Sequence, residues 1–171
     1  MKTIFLLRHA KSSWDDPSLD DLARPLNKRG RRAAGLMAEY FLRRGFSPKV
    51  VLCSPAARTR QTLDLLLPAL PDPEVRIDER IYDAAMKTLL ARLQELPETC
   101  ASVLLVGHNP GLERLAQTLS DGTGNPAAAD RLAAKYPTGS LTILSSPRDR
   151  WDSLAAATCR LEDFICPVDL E

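Results

Sequence analysis

The run Thr3-Ile4-Phe5-Leu6-Leu7 ends without a break in Arg8-His9 and then passes into the polar segment Ala10-Lys11-Ser12-Ser13-Trp14. An apolar run this short, bounded at once by a loop, has the length of a buried strand and not of a helix. A second run, Ser102-Val103-Leu104-Leu105-Val106, behaves the same way and ends in Gly107-His108-Asn109-Pro110-Gly111. The chain has 2 histidines, and each directly follows one of these runs. Open α/β sheets bind ligands at the carboxyl ends of their strands. Both imidazoles are therefore expected where such a fold does its chemistry.

Strand and helix patterns alternate along the rest of the chain. Asn27 is a plausible N-cap for a helix reaching about Arg44, with Ala33, Ala34, Met37, Tyr40 and Phe41 at helical spacing. Lys49 to Cys53 reads as another strand. Ser54-Pro55 is expected to cap and open the next helix, which places Arg58 at its start and Leu63, Leu66 and Leu67 on its core face. A short strand at 75–79, a helix at 85–96 and a helix around Leu112, Leu115, Ala116 and Leu119 follow. Residues 121–126 read as a turn-rich break, 127–135 as a short helix, and 140–145 and 154–164 as closing strands. This order predicts one domain over 1–171, a three-layer α/β/α architecture with a mostly parallel central sheet. The acidic, Pro-containing stretch from Asp15 to Pro25 is either a lip over the site or a solvated loop. Trp14, Trp151, Tyr82 and Tyr136 offer either a recognition surface or core and half-buried packing, and packing is the default expectation.

Charge narrows the possible partners. Lys+Arg number 23 against 22 Asp+Glu, so no global field favours nucleic acid or an anionic membrane. No apolar stretch is long enough to span a bilayer, and the first residues lack the apolar core of a secretory signal. Cys53, Cys100, Cys159 and Cys166 form no C-x-x-C pair, which signals neither a zinc site nor a disulfide framework. A cytoplasmic monomer with no metal and no cofactor is the expectation.

The ends of the first, second and fourth strands can share one sheet edge, which would deliver Arg8-His9, Ser54 with Arg58, and His108 together. Guanidinium groups suit the bidentate grip of phosphate. Two of them with two imidazoles make a pocket for a tetrahedral dianion. Neutral imidazole is a competent nucleophile toward phosphorus, and phosphoryl transfer asks mainly for in-line positioning and charge neutralisation. Arg8, Arg58 and a protonated His108 would supply that neutralisation.

At these residues a resemblance becomes specific. Arg8-His9-Ala10-Lys11-Ser12-Ser13-Trp14-Asp15 resembles the R-H-G-x-S-x-W-N signature of the histidine phosphatase (phosphoglycerate mutase-like) superfamily. Residues Ser54 to Thr62 resemble its S-x-x-x-R-x-x-Q-T segment, Gly107-His108 its second catalytic histidine, and Leu26 to Gly30 its L-x-x-x-G. The resemblance implies His9 as the phosphorylated nucleophile, with Arg8, Arg58 and His108 around the phosphate and Ser12 among the substrate-binding residues. It makes Glu79, in Ile77-Asp78-Glu79-Arg80-Ile81-Tyr82, the candidate proton donor, with Asp83 as a substitute and an exposed strand-end carboxylate as the alternative. Ala10, Lys11 and Asp15 depart from the pattern, and Asp15 would repel phosphate.

The short length and the R-H-A-K-S-x-W and G-H-N-P-G wording are most similar to the bacterial phosphohistidine phosphatase subgroup. Removal of phosphate from phosphohistidine on a protein partner is the implied activity. A small-molecule phosphomonoesterase and a non-catalytic phosphate-recognition module stay open at this point.

Overall fold

The computed structural model describes residues 1–171. Seven strands form one sheet in the order β3-β2-β4-β1-β6-β7-β5. They are β1 (Lys2–Arg8), β2 (Val50–Cys53), β3 (Glu74–Ile77), β4 (Ser102–Gly107), β5 (Ser120–Gly124), β6 (Leu141–Ser146) and β7 (Cys159–Ile165). Strands β3, β2, β4 and β1 run parallel, β6 is antiparallel to both its neighbours, and β5 lies parallel to β7. The helices are α1 (Lys28–Arg44), α2 (Ala57–Leu66), α3 (Met86–Gln94), α4 (Gly111–Leu119) and α5 (Pro126–Ala134).

Alternation within β1 explains the three layers. Ile4 and Leu6 point to one face, where they join a core containing Leu89 and Leu93 of α3, Leu112 and Leu115 of α4, and Leu132 of α5. Phe5 and Leu7 point to the other face and pack with Met37 and Phe41 of α1 and Leu63 and Leu66 of α2. A strand buried on both faces must be apolar throughout, which is how Ile4 to Leu7 read in sequence. The helix after β1 thus lies on one face and the helix after β4 on the other. Chain connections leave these adjacent strands in opposite directions, and such a switch point opens a crevice at the strands' carboxyl ends.

Several boundaries differ from expectation. The stretch 121–126 is not a break: β5 occupies Ser120–Gly124 and pairs with β7 only at its two ends. Gly124 has φ +110°, and a Cβ there would sit 1.9 Å from the Leu161 carbonyl oxygen. The glycine that resembles turn chemistry in sequence is what lets this edge strand approach its neighbour. Helix α2 begins at Ala57 and not at Pro55; Ser54 Oγ accepts from the Ala56 N–H at 3.3 Å just ahead of it and also meets His108 Nε2. Residues 151–153 form a 3₁₀ turn ahead of the shorter β7. No helix is long and apolar enough to cross a membrane.

Candidate active site

Register places the two histidines. Arg8 of β1 stands beside Gly107 of β4, so the next residues, His9 and His108, leave the sheet side by side. The His9 backbone N–H extends the ladder by donating to the Gly107 carbonyl at 3.1 Å. The two rings end with centroids 5.4 Å apart. On the other side of β4, Cys53 pairs with Val106, and the Ser54 N–H donates to the Val106 carbonyl. Ser54 is thereby brought under His108.

Each ring has a defined tautomer. His9 Nδ1 lies 2.7 Å from the Ala10 carbonyl oxygen, which can only accept, so Nδ1 carries the proton and Nε2 keeps its lone pair. Arg58 Nη2 points at His108 Nδ1 from 3.4 Å, and a guanidinium can only donate. The His108 proton is then on Nε2, which donates to Ser54 Oγ at 2.7 Å. Burial, with a smaller effect of the nearby arginines, pushes the His9 pKa down to about 4. Burial, Arg58 and His9 push that of His108 down to about 3. The expectation of a protonated His108 is therefore corrected: the ring is neutral at pH 7.

Positive charge comes from the two arginines. Arg8 Nη1 donates to the Tyr136 carbonyl at 2.7 Å, while its Nε is buried with no partner in the chain. Arg58 stands in the first turn of α2 and is only 4% exposed. Its Nη1 donates to the Asp21 carbonyl at 2.8 Å and its Nη2 to Asp21 Oδ2 at 3.0 Å. Asp21 also accepts from the Tyr82 hydroxyl and from Arg24 Nε. These bonds, that of Tyr82 foremost, hold its carboxyl down at about 2. The stretch 15–25 is thus a lip, tied to the site through a carboxylate on Arg58.

Other residues of the sequence signatures hold the backbone. Thr62 Oγ1 accepts from the Ala10 N–H at 3.0 Å and donates to the Arg58 carbonyl at 2.7 Å, linking the loop after His9 to the helix that carries Arg58. Gln61 Oε1 accepts from the Leu26 N–H. Gly139 N–H donates to the carbonyls of both Arg8 and His9. Nothing in local spacing shows that Asp21, Tyr82, Thr62 and Tyr136 meet at the site. The signals available are the Q-T pair, which holds Thr62, and the 77–82 segment, which ends in Tyr82.

The structure does not bring every candidate together. Glu79 is exposed in a 3₁₀ turn and makes no hydrogen bond or ion pair with the two histidines or two arginines. Asp83 Oδ1 instead lies 3.8 Å from His108 Nδ1 and 3.9 Å from Arg58 Nη2. Ser12 Oγ is buried and accepts from Arg24 Nη1, so it braces the lip's arginine. Trp14 is 73% exposed, contrary to expectation, with the Arg24 guanidinium 3.5 Å from its ring centre. Trp151 and Tyr136 are buried as expected. No group of three His, Cys, Asp or Glu side chains is placed to hold a metal ion.

Comparison with known proteins fits this geometry. The sequence profile of the histidine phosphatase superfamily (branch 1) matches residues 4–89. An uncharacterised protein of Mycobacterium tuberculosis (strain H37Rv) is 37% identical over 139 residues, covering 81% of this chain and 85% of that protein. Among solved structures, a candidate phosphohistidine phosphatase SixA from Nakamurella multipartitia superposes with a TM-score of 0.83 at 31% identity, over 98% of this chain and 96% of that one. A SixA candidate from Agrobacterium tumefaciens gives 0.79 at 30% identity, over 97% and 98%. The chain therefore belongs to the histidine phosphatase superfamily, branch 1, and is an enzyme of the phosphatase kind.

Proposed function

We propose that the chain removes phosphate from phosphohistidine on a protein partner, through a phosphohistidine intermediate on its own His9. The observation that carries this reading is the neutral His9 ring, its Nδ1–H bonded to a carbonyl and its Nε2 lone pair free, beside two arginines. In the first step Nε2 attacks phosphorus and the P–N bond to the substrate imidazole breaks. A substrate ring protonated on its far nitrogen leaves as neutral imidazole, so the PO₃ unit passes between two neutral rings. In the second step water attacks phospho-His9, the P–Nε2 bond breaks, and dihydrogen phosphate departs while the ring keeps its Nδ1 proton.

The phosphorylated His9 ring is cationic, and the Ala10 carbonyl facing its N–H stabilises that charge where it develops. Arg8, with an unpartnered buried Nε, and Arg58 are assigned to the phosphoryl oxygens. His108 turns Nδ1 toward Arg58 and takes up a proton there once the dianion is bound, while Ser54 holds Nε2 and orients the ring. Ser12 acts through Arg24 on the lip. This scheme asks for no resident cofactor or metal, because guanidinium groups supply the neutralisation.

The carboxylate positions favour a phosphoramidate over a phosphate ester. Ester cleavage needs a proton donor at the leaving oxygen. Glu79 has no bond to the site, and Asp83, the carboxylate nearest His108, is half exposed. We assign Asp83 the donor's place when one is needed, ahead of Glu79. The whole chain acts as one domain in this reading, since the sheet uses strands from both ends of it.

The test is a substrate panel with excess chelator. Phosphohistidine peptides should turn over faster than sugar or nucleotide phosphates, and His9→Ala should abolish both turnover and acid-labile labelling. Full activity of the His9 variant would overturn the reading, and exclusive turnover of small esters would replace the substrate.

A further inference from the structure

A second feature opens beside the site. A groove of about 480 Å³ runs between the first turns of α1, the 135–138 segment and the 3₁₀ turn at 167–170. Four cations line it: Lys11, Arg29, Arg32 and Lys135. None of the four has an ion pair or side-chain hydrogen bond in the chain, whereas eight other arginines have a carboxylate partner. The one acidic residue lining the groove, Glu171, pairs with none of them.

The fold assembles this charge at a cost. Lys28, Arg29, Arg31 and Arg32 crowd the start of α1, which has no acidic residue in its first turn. Cations at a helix N-terminus oppose the helix dipole. Mutual repulsion among groove cations adds to that. With a net charge of +1, the cluster is a local concentration and not the overflow of a basic protein.

Both walls are anchored to the site. A Cβ on Gly30 would lie 2.0 Å from the Lys11 carbonyl oxygen, so only glycine lets α1 press against the loop after His9. Arg29 and Arg32, three apart on one helix face, are thereby set beside Lys11. Lys11 follows His9 by two residues, so their Cα atoms are within about 7 Å. On the other wall, Lys135 precedes Tyr136, whose carbonyl holds Arg8. Apolar stretches of the lining (Ala33, Leu36, Pro137, Val168) give the groove walls that suit an extended peptide better than a duplex or a bilayer.

We propose that this groove holds acidic side chains flanking the phosphorylated residue of a protein substrate, so that it selects among phosphohistidine proteins. The inference rests on the activity proposed above. Its contribution appears in KM and in the salt dependence of kcat/KM, since exposed opposite charges act mainly on encounter and are screened by salt.

The test compares phosphohistidine peptides with Asp/Glu-rich, neutral and Lys/Arg-rich flanks. The variants are Arg29→Glu, Arg32→Glu and the double variant, all exposed positions where an acid suits the helix dipole and the fold should be kept. Expected results are a KM at least tenfold lower for the acidic peptide than for the neutral one, and loss of that preference in the double variant. Turnover of p-nitrophenyl phosphate should stay within twofold. Equal KM for acidic and neutral peptides would overturn the inference while leaving the activity standing.

Fluorescence anisotropy with an unphosphorylated Asp/Glu-rich peptide gives a readout independent of turnover. Binding weakened tenfold or more by the double variant supports the groove even if the chain cleaves no phosphohistidine. No binding, or tighter binding of duplex DNA or of phosphatidylglycerol vesicles, contradicts it.

Discussion

His9 and His108 are buried bases held neutral, and this sets how stability varies with pH. Their folded pKa values, about 4 and about 3, lie below the unfolded value of about 6.5. Between these limits the unfolded chain binds more protons than the folded one, so stability rises with pH. Urea midpoints should be flat from about pH 7 to 8, below the range in which the buried thiols titrate, and should fall as pH drops from about 6.5 toward 4. The slope is of order 1.4 kcal/mol per pH unit for each imidazole. Inorganic phosphate should reduce the loss, because a bound dianion favours the charged rings. A midpoint constant from pH 7 to pH 4.5 would mean that the rings are solvated. Ser54→Ala leaves His108 Nε2–H buried without an acceptor and is expected to cost about 1–3 kcal/mol in the same assay. Arg8-His9 and His108 were legible as site residues because each follows a strand. Asp21 and Tyr82 were not, because an exposed carboxylate and a tyrosine far apart in sequence carry no sign that they will meet on Arg58.

At the scale of elements, the site is a consequence of which strand lies beside which. The β1 and β4 ladder aligns the two His-bearing ends, and α2 then has to be fixed against the loop after His9. Thr62 does this with one hydroxyl that accepts from Ala10 and donates to Arg58. Thr62→Val should leave the Ala10 N–H unpaired, lower stability by about 1–3 kcal/mol and reduce kcat by tenfold or more. Thr62→Ser should restore most of both; if Thr62→Val matches the parent in kcat, the tether is dispensable. Elements with strong periodicity, such as α1 and β4, were readable from their own residues. The edge strand β5 was not, since Gly122 and Gly124 suit a turn and its extended form is imposed by the β7 backbone. Likewise Ser54-Pro55 has the chemistry of a helix start, yet the serine serves both the Ala56 N–H and His108, and the helix opens two residues after Pro55.

For the whole molecule, alternation of strand and helix was enough to expect a layered α/β fold, because a strand apolar on both faces needs cover on both. The antiparallel β6 and the strand order depend on distant backbone pairing that no local window contains. The resulting switch point between β1 and β4 puts a nucleophile, two guanidiniums and a second imidazole into one crevice, with a cationic groove at its side. The most direct measurement is the site of covalent phosphate after rapid alkaline quenching of turnover, located by mass spectrometry and assigned to a ring nitrogen by ³¹P–¹⁵N NMR. Phosphate on His9 Nε2 is the predicted result, since Nδ1 is held by the Ala10 carbonyl. Phosphate on His9 Nδ1, on another residue, or on none during steady turnover would contradict the account.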